Sequence, residues 1–267
     1  MKFEVRLPRD DVNVTPTHPL REALRLLLSL LLVGGGLFAI ATLLVDRLIP
    51  YVPRSWESRL LPGFEELVYR PQTEEEKTHL KRLESLLPRL TAHWPKAPAG
   101  LRVGLLDAEE PNALAFSGGL VLVTRGHVRE VESENELAFV LGHELGHFRN
   151  RDHLRSLGFG LTLDMIMTAM SRTGSGRNLL SFSGQITNRI FSRSQEMEAD
   201  AFGLSLLVAE FGHTDGTTNF FQRLPTPGNA VEHLLAPYLA THPLSDERIE
   251  ALRELGAKTR EASLIPP

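Results

Sequence analysis

The stretch that decides the fold is SENELAFVLGHELGHFR, residues 133–149. Ser133 stands three residues before Glu136, which is the spacing of a capping box at the start of a helix. Apolar residues follow at helical spacing, with no proline to interrupt them. The pattern therefore predicts a helix over about Glu134–Arg149, and this helix carries the most informative residues of the chain.

Two histidines and a glutamate on this helix indicate a metal site. His143 and His147 are four residues apart, so on a helix they share one face, one turn apart. That spacing suits two imidazole ligands of one zinc ion. Glu144 follows the first histidine and is placed to act as a general base on the attacking water.

Composition narrows the classes of partner and ligand. The chain has 267 residues, of which 42% are hydrophobic and 23% charged, with a net charge of −4. Its length allows one large domain with a real core. No dense run of Lys and Arg is present, so nucleic acid is not an expected partner. The chain has no cysteine, so any zinc must be held by histidine and carboxylate ligands.

An apolar run near the N-terminus predicts a membrane span. Leu26–Val45 contains no charged residue, and about 20 helical residues cross the roughly 30 Å of hydrocarbon in a bilayer. We therefore divide the chain into an N-terminal tail (1–22), one transmembrane helix (23–49) and a catalytic domain (50–267). Membrane lipid is an expected partner. Positive charges are nearly balanced across the span, and a short tail before a single span favours an extracytoplasmic catalytic domain in the cell membrane.

The remaining pattern predicts a mostly helical α+β domain with one small antiparallel sheet. Gly118 and Gly119 separate two apolar runs and indicate a hairpin turn. The predicted strands are Leu101–Leu106, Ala113–Phe116 and Leu120–Thr124, and the predicted helices include Glu74–Leu90, Gln195–Ala209, Val231–Leu239 and Asp246–Leu255. Leu157–Met170 is apolar but short for a span. It suits a core helix, or a membrane-proximal or gating helix within 154–191.

A catalytic zinc needs a third protein ligand, and two residues compete for that place. His153 follows His147 by six residues, as in the metzincin pattern, with Asn150 at the position where that pattern has a glycine turn. The alternative is Glu196, which shares a helix face with Asp200 four residues later. Asp200 could then accept the free N–H of a ligating histidine. The spacing alone leaves both alternatives open.

Four motifs in order resemble the M48 zinc metallopeptidases, which have a zincin-like domain and belong to the gluzincin group. They are Pro111–Gly119, Glu136–His147, Ser192–Asp200, and Thr241–Pro243 followed by Arg248. The resemblance covers about residues 70–255. Two departures stand out, since family members usually have proline where this chain has Ser117 and arginine where it has Gln195.

The resemblance implies a role for each matching residue. His143, His147 and Glu196 would bind one Zn²⁺, Glu144 would be the general base, and Asp200 would orient a ligand. His242 or Arg248 would stabilise the oxyanion of the tetrahedral intermediate. An edge strand would pair with an extended substrate backbone through Asn112, Ala113, Leu114, Ala115 and Phe116.

These features predict a membrane-anchored zinc endopeptidase in protein quality control. Its substrates would be polypeptides, in particular unfolded or membrane-associated proteins. Two other classes stay open at this stage. One is a zinc-dependent chaperone or assembly factor with weak proteolysis, and the other is a membrane scaffold with an inert site.

Overall fold

The chain is an α+β protein with one long apolar helix near its N-terminus. The structure is a computed structural model, and the residues it describes are 18–54, 56–57, 64–155, 191–215, 217, 242, 248–254 and 256. The helices expected over Leu157–Met170 and Val231–Leu239 lie outside these residues. So do the N-terminal tail as far as residue 17 and most of the segment 154–191.

Helix α1 (Pro19–Leu48) begins with proline at its first turn, where the missing N–H costs nothing. None of its residues is buried, and its leucines are exposed around the whole helix. The segment Pro19–Tyr51 is long and apolar enough to cross a membrane, and an 18-residue window within it has a mean hydropathy of 2.4. Within the described parts of the chain, it is the one helix that meets this criterion.

The domain contains a four-stranded sheet in the order β1-β2-β4-β3. Its strands are β1 (Val68–Tyr69), β2 (Arg102–Leu106), β3 (Ala113–Phe116) and β4 (Leu120–Thr124). The sheet is mixed, which corrects the antiparallel sheet expected from the sequence, because β2 and β4 pair in parallel. After β2 the chain enters the sheet two strand positions away as β3, and it returns through the hairpin as β4, which lies between β2 and β3.

The β3–β4 hairpin leaves β3 at the edge of the sheet, as expected. Gly118 and Gly119 both have φ of 82°, a left-handed conformation that glycine adopts without strain. The hairpin register places Phe116 opposite Leu120, with Ser117 in the turn between the strands.

In the described part of the domain, four helices with defined bounds pack with this sheet, and a capping side chain starts each of them. They are α2 (Glu74–Ala92), α3 (Arg125–Glu130), α4 (Glu134–Asn150) and α5 (Arg193–Phe211). Ser133 accepts a hydrogen bond from the backbone N–H of Glu136 at the start of α4. Ser192 and Gln195 form a complete capping box at the start of α5. Residues 248–254 are also helical.

The core lies between the sheet and helices α2, α4 and α5. All five residues of β4 are buried, so both faces of this strand are covered. One face contributes Val121 and Val123 to the main core, and the other packs Leu120 and Leu122 against the hairpin partner β3. The central position of β4 fixes β3 beside the helix that carries the histidines.

Helices α4 and α5 cross at very short range, and this crossing builds the site. A Cβ added at Gly146 would lie 2.7 Å from the Cα of Ala199, and one at Gly203 would lie 2.7 Å from the backbone nitrogen of His143. Real Cβ atoms do not approach backbone this closely, so both positions need glycine. The close crossing brings the N-terminal half of α5, with its carboxylates, against the histidines of α4.

Candidate metal centre

Four buried side chains from three parts of the chain present ligand atoms to one point. They are His143, His147, Glu196 and His242, and their ligand atoms all lie within 4.8 Å of one another. Each is at most 1% exposed. Helix α4 supplies the first two and α5 supplies the glutamate. The family resemblance implied the first three as metal ligands and gave His242 or Arg248 as the group that stabilises the oxyanion.

The hydrogen bonds around the two α4 histidines test whether this set fits a metal ion. His143 Nδ1 lies 2.8 Å from Asp200 Oδ1, and His147 Nδ1 lies 2.9 Å from Asp152 Oδ2. A carboxylate on Nδ1 keeps the proton there and leaves the lone pair on Nε2. The two Nε2 atoms then face each other at 3.1 Å. Two lone pairs at this distance repel unless a cation lies between them, so the donor set fits a metal.

Asp200 and Arg248 form a buried ion pair behind His143. The Arg248 guanidinium donates to both oxygens of Asp200, at 2.5 and 2.8 Å, and also contacts Glu196. Burial would raise the pKa of Asp200, but Arg248 and His143 hold it below its ordinary value. Asp200 is therefore a carboxylate that can fix the orientation of His143. The guanidinium of Arg248 is directed to these two carboxylates.

Asp152 orients the ring of His147 through its contact with Nδ1, as Asp200 does for His143. Sequence reasoning did not identify Asp152 as part of the site. Asp152 is completely buried, and its Oδ1 accepts hydrogen bonds from Gln195 at 2.8 Å and from Arg155 at 3.1 Å. Gln195 thus makes a neutral bond where an arginine would make an ion pair, and Arg155 supplies the charge. The sequence does show a carboxylate five residues after the second histidine. The direction of the Asp152 side chain, however, depends on the turn that ends α4, and spacing does not predict that turn.

Glu144 lies beside the metal-ligand set on the side of the sheet edge. Burial raises its pKa to about 7, while His143, His147 and a backbone hydrogen bond from Ala115 act in the opposite direction. Its Oε1 is 3.6 Å from His242 Nε2. A buried carboxylate with a pKa near neutrality is suited to take and return a proton at physiological pH. The Ala115 bond joins this candidate base to the edge strand.

The pKa values of His147 and Glu196 show how the site would accommodate a cation. Burial would lower the pKa of His147, but hydrogen bonds to Asp152 and Glu196 raise it to about 9. His242 and His147 hold the pKa of Glu196 below its ordinary value in spite of burial. The carboxylates of Asp152 and Glu196 therefore favour positive charge at His147. A metal ion bound there would take the place of a proton on His147.

His153, the competing third ligand, lies elsewhere. Its Nε2 is 3.2 Å from Glu57 Oε2, and its ring stacks on Phe148 with the centroids 5.2 Å apart. The left-handed residue at the end of α4 is Arg151, with φ of 59°, and Asn150 stays helical. The structure therefore brings Glu196 to the two histidines and directs His153 away from them, because the chain turns one residue later than the metzincin spacing requires.

Phe191 is a second residue that sequence reasoning missed. Its ring stacks on His147, with centroids 4.0 Å apart and an angle of 18° between the planes. The same ring lies 5.2 Å from that of His242. An aromatic residue just before a helix N-cap carries no signal of its own, so only the tertiary structure reveals this contact.

A helix-borne histidine pair with an adjacent glutamate, and a glutamate from a following helix, is the donor set of a metalloprotease. Comparison with known proteins agrees with this class. The family model described as Peptidase family M48 matches residues 78–256. The chain belongs to peptidase family M48.

Several curated relatives are similar to this chain. A beta-barrel assembly-enhancing protease of Yersinia pestis is 28% identical over 185 residues, covering 64% of this chain and 37% of the relative. The metalloprotease YcaL of Escherichia coli is 29% identical over 181 residues, covering 65% and 68%. A protease HtpX homolog of Aquifex aeolicus is 27% identical over 215 residues, covering 62% and 68%. The chain spans little more than a third of the length of the first of these.

Proposed function

We propose that this metalloprotease is a membrane-anchored zinc endopeptidase that hydrolyses peptide bonds in protein quality control. The observation that carries the proposal is the convergence of His143, His147 and Glu196 around one point, with Glu144 beside them. The exposed apolar helix α1 supports the membrane anchor. The names of the relatives, all proteases, support peptide hydrolysis as the reaction.

In this proposal His143, His147 and Glu196 hold the ion. When bound, zinc would polarise the scissile carbonyl and activate the attacking water. Asp200 and Asp152 keep the two histidines in the tautomer that presents Nε2. Glu144 accepts the proton of the attacking water and delivers it to the leaving amine.

His242 and Arg248 take different parts in this proposal. Arg248 is occupied by the carboxylates of Asp200 and Glu196, so it positions them. His242 is the better placed of the two to donate to the oxyanion. Its Nδ1 lies 3.2 Å from His143 Nε2, so it is also close enough to be a fourth donor. A catalytic zinc keeps one position open, so His242 must leave that position to the reacting groups.

The edge strand β3 is the proposed substrate-binding element. Among the residues that the structure describes, β4 pairs with one side of it and no strand pairs with the other. An extended peptide can add to such an edge through backbone hydrogen bonds. Backbone pairing gives affinity with little sequence specificity. We therefore propose unfolded or membrane-associated polypeptides as substrates, at the extracytoplasmic face of the membrane.

The Glu144→Gln variant tests the proposal. We expect the purified full-length variant to bind one zinc per chain like the wild type and to lose cleavage of an unfolded protein such as casein by at least about 100-fold. Zinc content is measured by atomic absorption and cleavage by release of labelled peptides. Wild-type protein that holds zinc but cleaves no polypeptide would instead favour the assembly-factor class, and absence of both would overturn the proposal.

A second pair of variants tests the choice of third ligand. We expect Glu196→Ala to lose zinc and His153→Ala to retain it with at most a moderate loss of affinity. The reason is that Glu196 lies 3.3 Å from His147 Nε2, whereas His153 is bound to Glu57. Loss of zinc in the His153 variant alone would contradict the assignment.

A further inference from the structure

The chain that leaves α1 packs against the C-terminal end of α4, the helix of the metal-binding histidines. We call this segment, residues 49–57, the connector. Arg151 donates from its guanidinium to the backbone oxygens of Ile49 and Val52, at 2.6 Å each. These bonds join the end of the proposed anchor to the end of the catalytic helix.

Glu57 is the buried carboxylate of this contact. It is 1% exposed, and its Oε2 lies 3.2 Å from His153 Nε2 while its Oε1 lies 3.4 Å from the Arg151 guanidinium. A buried carboxylate is costly unless it is paired, and here two basic side chains face it. One connector residue thus contacts both Arg151 and His153.

The backbone at Arg151 needs such support. Its φ and ψ are 59° and 34°, a left-handed conformation that is unfavourable for a residue with a Cβ. This turn ends α4 and redirects the chain into helical residues 152–155. The bonds from the Arg151 side chain to the connector hold the residue in place while its backbone makes the turn.

Asp152 lies between the two residues that the connector binds. Its carboxylate contacts His147 Nδ1 at 2.9 Å. The direction of that carboxylate depends on the turn at Arg151 and on the position of His153 after it. A continuous set of contacts therefore runs from Glu57, through Arg151 and His153, to Asp152 and His147.

We propose that Glu57 is a positioning residue for the metal centre, through which the connector holds Asp152 on His147. The proposal rests on the zinc site of the proposed function. In this proposal the connector helps to support the zinc site. The proposed membrane anchor and the metal centre are therefore coupled.

The test compares Glu57→Ala with Glu66→Ala in the full-length protein purified in detergent. Glu66 is an exposed carboxylate of the same region and serves as the matched control. We expect Glu57→Ala to bind zinc about 10-fold more weakly, as typically follows loss of support behind a ligating histidine, with chelator competition as the measurement. Glu66→Ala should bind zinc as the wild type does. Glu57→Gln keeps an acceptor for Arg151 and should fall between the two.

A second readout does not need the metal. In metal-free protein, we expect hydrogen exchange of the backbone amides in residues 147–155 to be at least about 10-fold faster in Glu57→Ala, with the amides of α2 unchanged. Equal acceleration throughout the chain, or unchanged exchange and zinc affinity, would overturn the proposal. If Glu57→Ala does not fold, the same comparison between Glu57→Gln and the wild type decides. Wild-type protein that fails to bind zinc would refute the proposed function, whereas the exchange experiment would still test the support of Asp152.

Discussion

At the scale of single residues, the two α4 histidines depend on carboxylates from different places. Asp200 reaches His143 from α5, and Asp152 reaches His147 from just beyond the end of α4. Each carboxylate has its own cationic partner, Arg248 or Arg155. The two ligands are therefore oriented independently, and loss of one carboxylate should leave the other histidine in place.

The variant Asp152→Ala tests the orientation of His147. We expect zinc affinity to fall about 10- to 100-fold, because His147 loses the partner that fixes its tautomer and ring orientation. Asp107→Ala removes an exposed carboxylate and is the control. Chelator competition measures both, and equal affinities in the two variants would show that Asp152 does not position the ligand.

The pH dependence of cleavage tests Glu144 as the base. Burial raises the pKa of Glu144 to about 7, and a bound cation would lower it by favouring the carboxylate. A base must be deprotonated, so kcat/KM should rise with pH and level off once Glu144 has lost its proton. We expect the midpoint of this acidic limb at or below about pH 7. A midpoint well above pH 7 in the zinc-loaded enzyme would exclude Glu144 as the group that titrates.

At the scale of elements, the crossing of α4 and α5 is set by glycines on both helices. Gly146 on α4 faces the backbone of Ala199, and Gly203 on α5 faces the backbone of Gly142 and His143, with no room for a Cβ at either glycine. The same crossing places Glu196 3.3 Å from His147 Nε2. The geometry of the metal centre therefore depends on how closely two helices approach.

The variant Gly146→Ala tests this dependence. The new Cβ would lie 2.7 Å from backbone of α5, so the helices must separate, at a cost of about 1–3 kcal/mol in the free energy of unfolding. We expect zinc affinity to fall as well. Gly35→Ala, in an open part of α1, is the control, and its denaturant midpoint and zinc affinity should match the wild type. A Gly146 variant equal to this control would contradict the proposed role of the crossing.

The start of α2 gives a second prediction at this scale. Glu76 completes a capping box with Thr73 and pairs with Arg125 at 3.1 Å. Its pKa falls to about 2, chiefly through the backbone hydrogen bond from Gln72. A lowered pKa stabilises the folded state above about pH 4.5, and this contribution is lost as the pH falls towards 2.

The variant Glu76→Gln should therefore have a lower melting temperature than the wild type at pH 7, and the difference should disappear towards pH 2. Thermal unfolding followed by circular dichroism at several pH values measures it. The exposed residue Glu84 provides the control as Glu84→Gln. A difference that is constant with pH would show that the Glu76 charge does not contribute.

At the scale of the whole molecule, the connector contacts join the apolar helix α1 to the peptidase domain. Arg151 binds backbone oxygens just after α1, and Arg155 lies 3.5 Å from Asp46 within its last turn. The peptidase domain is therefore tied to the end of the proposed span, which limits how far its site can lie from the membrane surface.

The absence of cysteine makes the orientation directly measurable. A single cysteine at Glu66→Cys should react with a membrane-impermeant maleimide in intact cells, because we expect the catalytic domain to be extracytoplasmic. Arg21→Cys, at the other end of α1, should react only after lysis. The reverse pattern would place the metal centre on the cytoplasmic side. Labelling of both cysteines in intact cells, or of both only after lysis, would show that α1 does not span.

The sequence predicted the elements that local patterns encode. Helix α4, strands β3 and β4 and the glycine turn between them follow from capping, periodicity and turn residues, and their bounds agree within about two residues with the structure. Strand β1 and helix α3 were not predicted. They have two and six residues, which is too short for a periodic pattern of apolar residues to be recognised. The parallel pairing of β2 with β4 could not be predicted from the sequence either, because it depends on where the chain re-enters the sheet after β2.

By itself, the sequence determined the histidine pair with its adjacent glutamate and the apolar helix, because each depends on residues close together in the chain. It also determined the family, because each of the four motifs is itself a short local pattern. The family resemblance implied Glu196 as the third ligand, but local spacing left Glu196 and His153 as alternatives. Only the tertiary structure shows that Glu196 and His242 reach the histidines, that Asp152 supports one of them, and that His153 turns away to Glu57. The physical reason is that these choices depend on the glycine-limited crossing of α4 and α5 and on the left-handed turn at Arg151, and neither is encoded by local spacing.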